Sequence, residues 1–133
     1  DIGVLAPYNA QVTLMRERMR EGYPAVEIGT VDGFQGREKE AIVLTLVRSN
    51  VRGEVGFLSD DRRLNVAVTR AKRQVCIVCD SACVSSHPFL QNLLNFCDER
   101  GAEYRSAAEY LPDGGGNFVS STPTAGAKGK AGK

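Results

Sequence analysis

Ala41-Ile-Val-Leu-Thr-Leu-Val47 is an apolar run broken by a single threonine. A strand with one wet face alternates in polarity; a run without alternation belongs to a strand covered on both sides. Such a strand requires a parallel sheet with helices above and below it, and this sets the fold class. Ile2–Leu5, ended by Ala6-Pro7, and Val26–Val31 and Val75–Val78 are further apolar stretches of strand length. Between them the period changes. Tyr8, Val12, Met15 and Met19 fall at i, i+4, i+7 and i+11, one helical stripe that Gly22 and Pro24 end. Ser59-Asp60-Asp61 supplies a cap and acid for a second helix, expected from Arg62 to about Lys72 with Leu64, Val68 and Ala71 as its buried stripe. On that helix Arg63 and Arg70 project together, two turns apart. Ser85-Ser86-His87-Pro88 opens a third helix, which Gly101 closes. The order predicts a three-layer α/β domain with a mostly parallel sheet, helices on both faces and Ala41–Val47 at its centre.

The chain has 133 residues and a net charge of +1, so it makes one domain, and any polyanion partner must be sought in local charge clusters. No apolar run approaches the ~20 residues of a membrane span, so no membrane partner is expected. The chain opens directly on a strand without an initiator methionine, which suggests that the natural protein continues upstream. After Tyr110 the composition turns to Gly, Ser, Thr, Ala and Lys. Residues 1–111 are read as the domain and 112–133 as a disordered tail or linker. Arg48–Gly56 is a polar connection that Phe57-Leu58 anchors to the core.

Cys76-x-x-Cys79 has the spacing of a zinc or redox pair. It lies within Gln74–Asp80, read as a buried strand, where residues three apart point to opposite faces, so buried thiols and no metal are expected. His87, the one histidine, stands at a helix start with a capping or surface role.

Two segments carry chemistry. In Thr30-Val-Asp-Gly-Phe-Gln-Gly-Arg-Glu-Lys39, Gly33 and Gly36 permit backbone angles and close approach closed to other residues. Gln35 offers amide donors and an acceptor, Glu38 an anion that can accept from ribose hydroxyls, and Arg37 and Lys39 positive charge. Phe34 is read as an anchor of this loop. The second segment, Arg62–Arg73, carries five cations in twelve residues, and guanidinium groups flanking an apolar stripe suit a phosphate.

Ala6-Pro-Tyr-Asn-Ala-Gln11, the Thr30–Lys39 loop and Arg62-Arg-Leu-Asn-Val-Ala-Val-Thr-Arg-Ala-Lys72 occur in that order. Residues 1 to 111 thereby closely resemble the second RecA-like lobe of superfamily 1 helicases of the up-frameshift type, and most of all the immunoglobulin-mu-binding-protein branch. The resemblance implies ATP and Mg²⁺ as cofactors, single-stranded RNA or DNA and an upstream RecA-like lobe as partners, and a cytoplasmic or nuclear location. It makes Glu38 the ribose contact, Gly36 the point where the loop nears the nucleotide, and Arg70 the arginine finger on the γ-phosphate. Gln35 and Arg63 become couplers between ATP and nucleic acid. Thr30, Val31 and Asp32 match the segment set against the nucleic-acid backbone, and Pro7, Tyr8 and Gln11 a motif near the same track. The sequence holds no phosphate-cradling G-x-x-x-x-G-K-[ST] and no Mg²⁺-binding acidic motif. Both are expected upstream, leaving half an active site that hydrolyses no ATP alone. The alternatives are a non-catalytic RecA-like platform and a stand-alone flavodoxin-like domain with a phosphorylated ligand.

Overall fold

In the computed structural model, which describes residues 1–101 together with 103, 105, 106 and 109, the run around Ile42 is an interior strand. The elements are β1 (Ile2–Ala6), α1 (Asn9–Met19), β2 (Glu27–Thr30), a 3₁₀ turn (Asp32–Phe34), β3 (Lys39–Thr45), a second 3₁₀ turn (Gly56–Ser59), α2 (Asp61–Val68), β4 (Ala71–Val78), α3 (Ser81–Val84) and α4 (Pro88–Glu99). The four strands lie in the order β2-β1-β3-β4, every neighbouring pair parallel. On one face Leu5, Ile42 and Leu44 join Leu64 and Ala67 of α2 and Leu90 of α4 in a single core. On the other, Val4, Ala6 and Ile28 meet Val12, Met15 and Met19 of α1. The expected three layers are therefore present. The boundary at 111 and the tail of 112–133 lie outside the described residues.

Three local expectations are corrected. Helix α2 stops at Val68, four residues short of Lys72. Thr69 Oγ1 donates to the carbonyls of Asn65 and Val66 (2.8 and 3.1 Å), so its hydroxyl takes up oxygens at the helix end. Ala71 then pairs with Lys39 as the first residue of β4, and Arg70 stands in the turn, not on a helical flank beside Arg63. Second, Gln74–Asp80 is not a buried strand. β4 is an edge strand and α1 packs chiefly on β1 and β2, so Val75 and Ile77 face the core while Cys76 and Val78 are exposed. Cys76 is thus not a buried thiol. Cys79, on the core side, is partly buried, and burial foremost, with Asp80 and Cys97, pushes its thiol pKa up. Third, β3 ends before Val47. Arg48 N donates to Leu46 O at 2.7 Å across Val47, whose φ is 66°. This three-residue turn is strained for a β-branched side chain.

The connection from β2 to β3 has no helix. Its place over the sheet is taken by Phe34, 1% exposed, whose ring lies against the backbones of β1 and β2. A Cβ on Gly3 would stand 2.9 Å from Phe34 Cε1, and one on Gly29 2.9 Å from Phe34 Cε2. The two glycines form a slot that any side chain would fill. Phe34→Ala should cost roughly 3–5 kcal/mol of unfolding free energy, and Gly29→Val roughly 1–3 kcal/mol by overpacking, both read from urea melts. A Gly29→Val protein as stable as the parent would mean that the slot does not hold the ring.

Asp80 caps α3, accepting from Ala82 N and Cys83 N (3.1 and 3.3 Å) and from Ser49 Oγ (2.6 Å). The Ser49 hydrogen bond is the main reason its carboxyl titrates below the usual carboxylate range. A depressed carboxylate pKa contributes stability above the unfolded pKa and loses it as pH falls through the folded one. Asp80→Ala should therefore cost about 1 kcal/mol at neutral pH, and the two melting curves should converge in acid. A difference unchanged down to pH 2 would refute the assignment.

Candidate functional site

The two chemistry-bearing segments both run from the carboxyl edge of the sheet to its amino edge and meet at each. At the amino edge, where β3 and β4 begin, Lys39 N donates to Arg70 O (3.0 Å), tying the two segments together. Arg70 Nε donates to Val66 O (3.1 Å), Nη1 to Arg37 O (3.3 Å) and Nη2 to Thr69 Oγ1 (3.4 Å). All three are neutral oxygens. The guanidinium is held in place beside the Gln35–Glu38 loop without a carboxylate to cancel its charge among the described residues. By contrast Arg63, Lys72 and Arg73 each stand within ion-pair distance of an acid. Gln35, Gly36 and Glu38 are exposed in the loop that Arg70 holds through Arg37 O and Lys39 N, and Gly36 turns at φ 77°. Arg37 and Lys39 are the loop's structural cations: Arg37 pairs with Glu27 and stacks 4.8 Å over the Phe34 ring, and Lys39 holds Asp1 and Glu27 (2.8 and 3.0 Å). Glu27, overlooked in the sequence reading, serves both.

At the carboxyl edge, Pro7 and Tyr8 leave β1, Thr30 to Asp32 leave β2, and α2 begins. Pro7, Thr30, Val31, Asp32, Phe57 and Arg63 line a shallow hollow of about 40 Å³. Thr30 Oγ1 accepts from Gly33 N (3.1 Å), and Val31, 6% exposed, packs in the core while its carbonyl accepts from Phe34 N (3.1 Å). Arg63 Nε lies 3.4 Å from Asp32 and 3.7 Å from Asp60, bridging the loop to the start of α2. Tyr8 caps α1 instead of joining its buried stripe, and its hydroxyl accepts from Arg48 Nε (2.8 Å). Gln11, half-buried on the first turn of α1, does not line the hollow. The connection from β1 leads to β2 and that from β2 returns to β3, so the ends of β1 and β3 flank a topological switch point, where open α/β sheets bind ligands.

The structure thus brings together Gly36, Glu38, Gln35 and Arg70 on one edge and Pro7, Thr30, Val31, Asp32 and Arg63 on the other. Helix α2, eight residues and about 12 Å long, runs between them with Arg63 near its start and Arg70 just past its end. A larger cleft of about 230 Å³ follows the outer edge of β2 but contains neither Glu38 nor Arg70. Its Arg16 is occupied, donating to Ile28 O from Nε and Nη2 (3.0 and 2.6 Å). Phe57 and Arg48 were missed at the carboxyl edge. The 3₁₀ turn of Gly56–Ser59 buries Leu58 and leaves Phe57 exposed, which the apolar character of the pair does not reveal.

Residues 1–82 match the AAA domain family. DNA-binding protein SMUBP-2 of Mesocricetus auratus is 58% identical over 113 residues, 85% of this chain and 11% of that protein. DNA polymerase alpha-associated DNA helicase A of Schizosaccharomyces pombe is 52% identical over 100 residues, 74% of this chain and 15% of its own length. A regulator of nonsense transcripts 1 homolog of Drosophila melanogaster is 42% identical over 106 residues, covering 74% and 9%. The chain therefore spans between 9 and 15% of these relatives. Among the described residues no helix is long and apolar enough to cross a membrane.

Proposed function

Since the chain belongs to the AAA domain family and is a helicase domain of the up-frameshift type of superfamily 1, we propose that it is the C-terminal motor lobe of an ATP-dependent helicase acting on single-stranded RNA or DNA. The observation that carries this reading is Arg70: a guanidinium fixed by neutral oxygens, its charge uncompensated among the described residues, beside an exposed Gly36–Glu38 loop. A group so placed suits the γ-phosphate of a nucleotide bound from an opposing lobe.

In this scheme ATP, with Mg²⁺ held by an upstream lobe, supplies the phosphoryl group. Glu38 accepts from the ribose hydroxyls and Gly36 lets the backbone approach. Arg70 stabilises the charge that develops on the transferred phosphoryl group. Gln35 and Arg63 link this edge to the nucleic-acid edge. Gln35 lies in the loop that starts from Asp32, and Arg63 holds Asp32 from the other end of α2. Thr30, Val31 and Asp32, with Pro7, Tyr8 and Gln11, face the strand's backbone. Such contacts position a strand without reading its sequence, so the same face accepts RNA or DNA. Nucleotide-driven approach of the two lobes, and their release after hydrolysis, would step the strand across the carboxyl edge. The isolated chain carries half the site and is inactive alone.

The full-length protein should show single-strand-stimulated ATP hydrolysis, and Arg70→Ala should lower its turnover by about a thousandfold or more, with circular dichroism confirming that the variant is folded. Normal turnover in the variant would remove Arg70 from the phosphoryl-transfer step. Absence of ATPase in the parent, with strand binding intact, would favour a non-catalytic platform.

A further inference from the structure

Phe57 is 59% exposed although its neighbour Leu58 is 1% exposed. The backbone of the Gly56–Ser59 turn is pinned by Leu58 in the core and by Leu58 N donating to Val55 O (3.1 Å), so the Phe57 ring is held out by a rigid support. Its inner side meets Tyr8, with ring centroids 5.3 Å apart and planes inclined at 40°. The Tyr8 hydroxyl accepts from Arg48 Nε (2.8 Å) and from Phe57 N (3.4 Å), and Arg48 Cζ lies 5.4 Å from the Tyr8 ring centre. Tyr8, Phe57 and Arg48 therefore form one fixed unit.

Two backbone features are spent on it. Gly56, at φ 55°, sits where a Cβ would collide with Arg48 and lie 2.9 Å from the Tyr8 hydroxyl. Val47 takes the strained φ of 66° in the three-residue turn that points Arg48 back towards Tyr8. Strain of this kind persists where surrounding contacts hold it and gathers at functional sites. The unit stands at the carboxyl ends of β1 and β3, at the switch point of the sheet, and Phe57 lines the same hollow as Pro7, Thr30, Asp32 and Arg63. Arg63 pairs with Asp32 and Asp60, which reduces the negative potential there towards a phosphate backbone.

We propose that the Phe57–Tyr8–Arg48 unit is a base-stacking platform, on which an unpaired nucleobase of the bound strand lies against the exposed face of Phe57. The chemistry suits it: every base has a π-face, so stacking on an aromatic is tolerant of sequence, and the ring costs little entropy because it is already immobilised. This rests on the reading of the carboxyl edge as a nucleic-acid face, and the test separates the two.

Binding of fluorescein-labelled oligo-dU and oligo-U by the full-length protein is measured by anisotropy, for the parent, Phe57→Ala and Phe57→Trp. The same strands with abasic sites at every position form the control. Phe57→Ala should weaken both base-bearing strands about five- to a hundredfold. Phe57→Trp should restore binding, and parent and Phe57→Ala should bind the abasic strands equally. Since the ring is exposed, parent-like thermal melts are expected for both variants. Equal binding of base-bearing strands by parent and Phe57→Ala would overturn the platform and leave the nucleic-acid face standing. So would an equal loss on abasic strands, or a loss with only one of the two sugars, since either would mean contact with the backbone instead of a base. A parent that binds no single strand would overturn both readings.

Discussion

Phe34 in the slot between Gly3 and Gly29 is the contact on which the functional geometry depends. A parallel sheet needs a crossover between β2 and β3, and in this family of folds a helix usually fills that layer. Here eight residues separate Thr30 from Lys39, and only the short 3₁₀ turn of Asp32–Phe34 is regular. A loop this sparse has one means of holding to the sheet, a large buried side chain, and two missing Cβ atoms make room for it. Because Phe34 is fixed, the residues before it stay at the carboxyl edge and those after it reach the amino edge. One loop thereby contributes Thr30 to Asp32 to one surface and Gln35 to Glu38 to the other.

Helix α2 makes the same crossing in the same sense, from the carboxyl edge to the amino edge. Leu64 and Ala67 press it onto the sheet, and the small Ala67, fully buried, lets it sit close. Asp60 fixes its start by accepting from Arg62 N and Arg63 N, and Thr69 ends it. Loop and helix are joined at both edges: Arg63 to Asp32 at one, Arg70 to the Arg37 carbonyl at the other. Loop and helix are thus linked at both ends by side chains of the one basic segment.

The layers were legible because periodicity reports burial: the Ile42 strand, the stripe of Val12 and Met15, and the Pro88 helix start follow from the pattern alone. The misreadings came where a local competitor overrode the pattern. Thr69 spends its hydroxyl on helix carbonyls, which no apolar period reveals, and so moved Arg70 off the helix. β4 reads as a buried run, yet its outer face depends on which strands α1 covers, a question of topology. Val47 belongs by composition to β3, but its backbone is bent by the contact between Arg48 and Tyr8, forty residues apart in sequence. Phe57 passed for an anchor because exposure of one of two adjacent apolar residues is decided by the turn, not by their chemistry.

How Arg70 is held bears on what it can do. A guanidinium paired with a carboxylate would have to give up that partner before meeting a phosphate, and reorganisation of this kind is the cost that a preorganised site avoids. Carbonyl and hydroxyl oxygens restrain the side chain through hydrogen bonds yet leave its full charge, so position and potential are set independently. Arg63, two turns earlier in sequence, is held by Asp32 and Asp60 instead, and its charge is consumed in keeping the loop and helix together. Two arginines of one basic segment are thus sorted by their partners, Arg70 held by neutral oxygens and Arg63 by carboxylates, a distinction that composition cannot express.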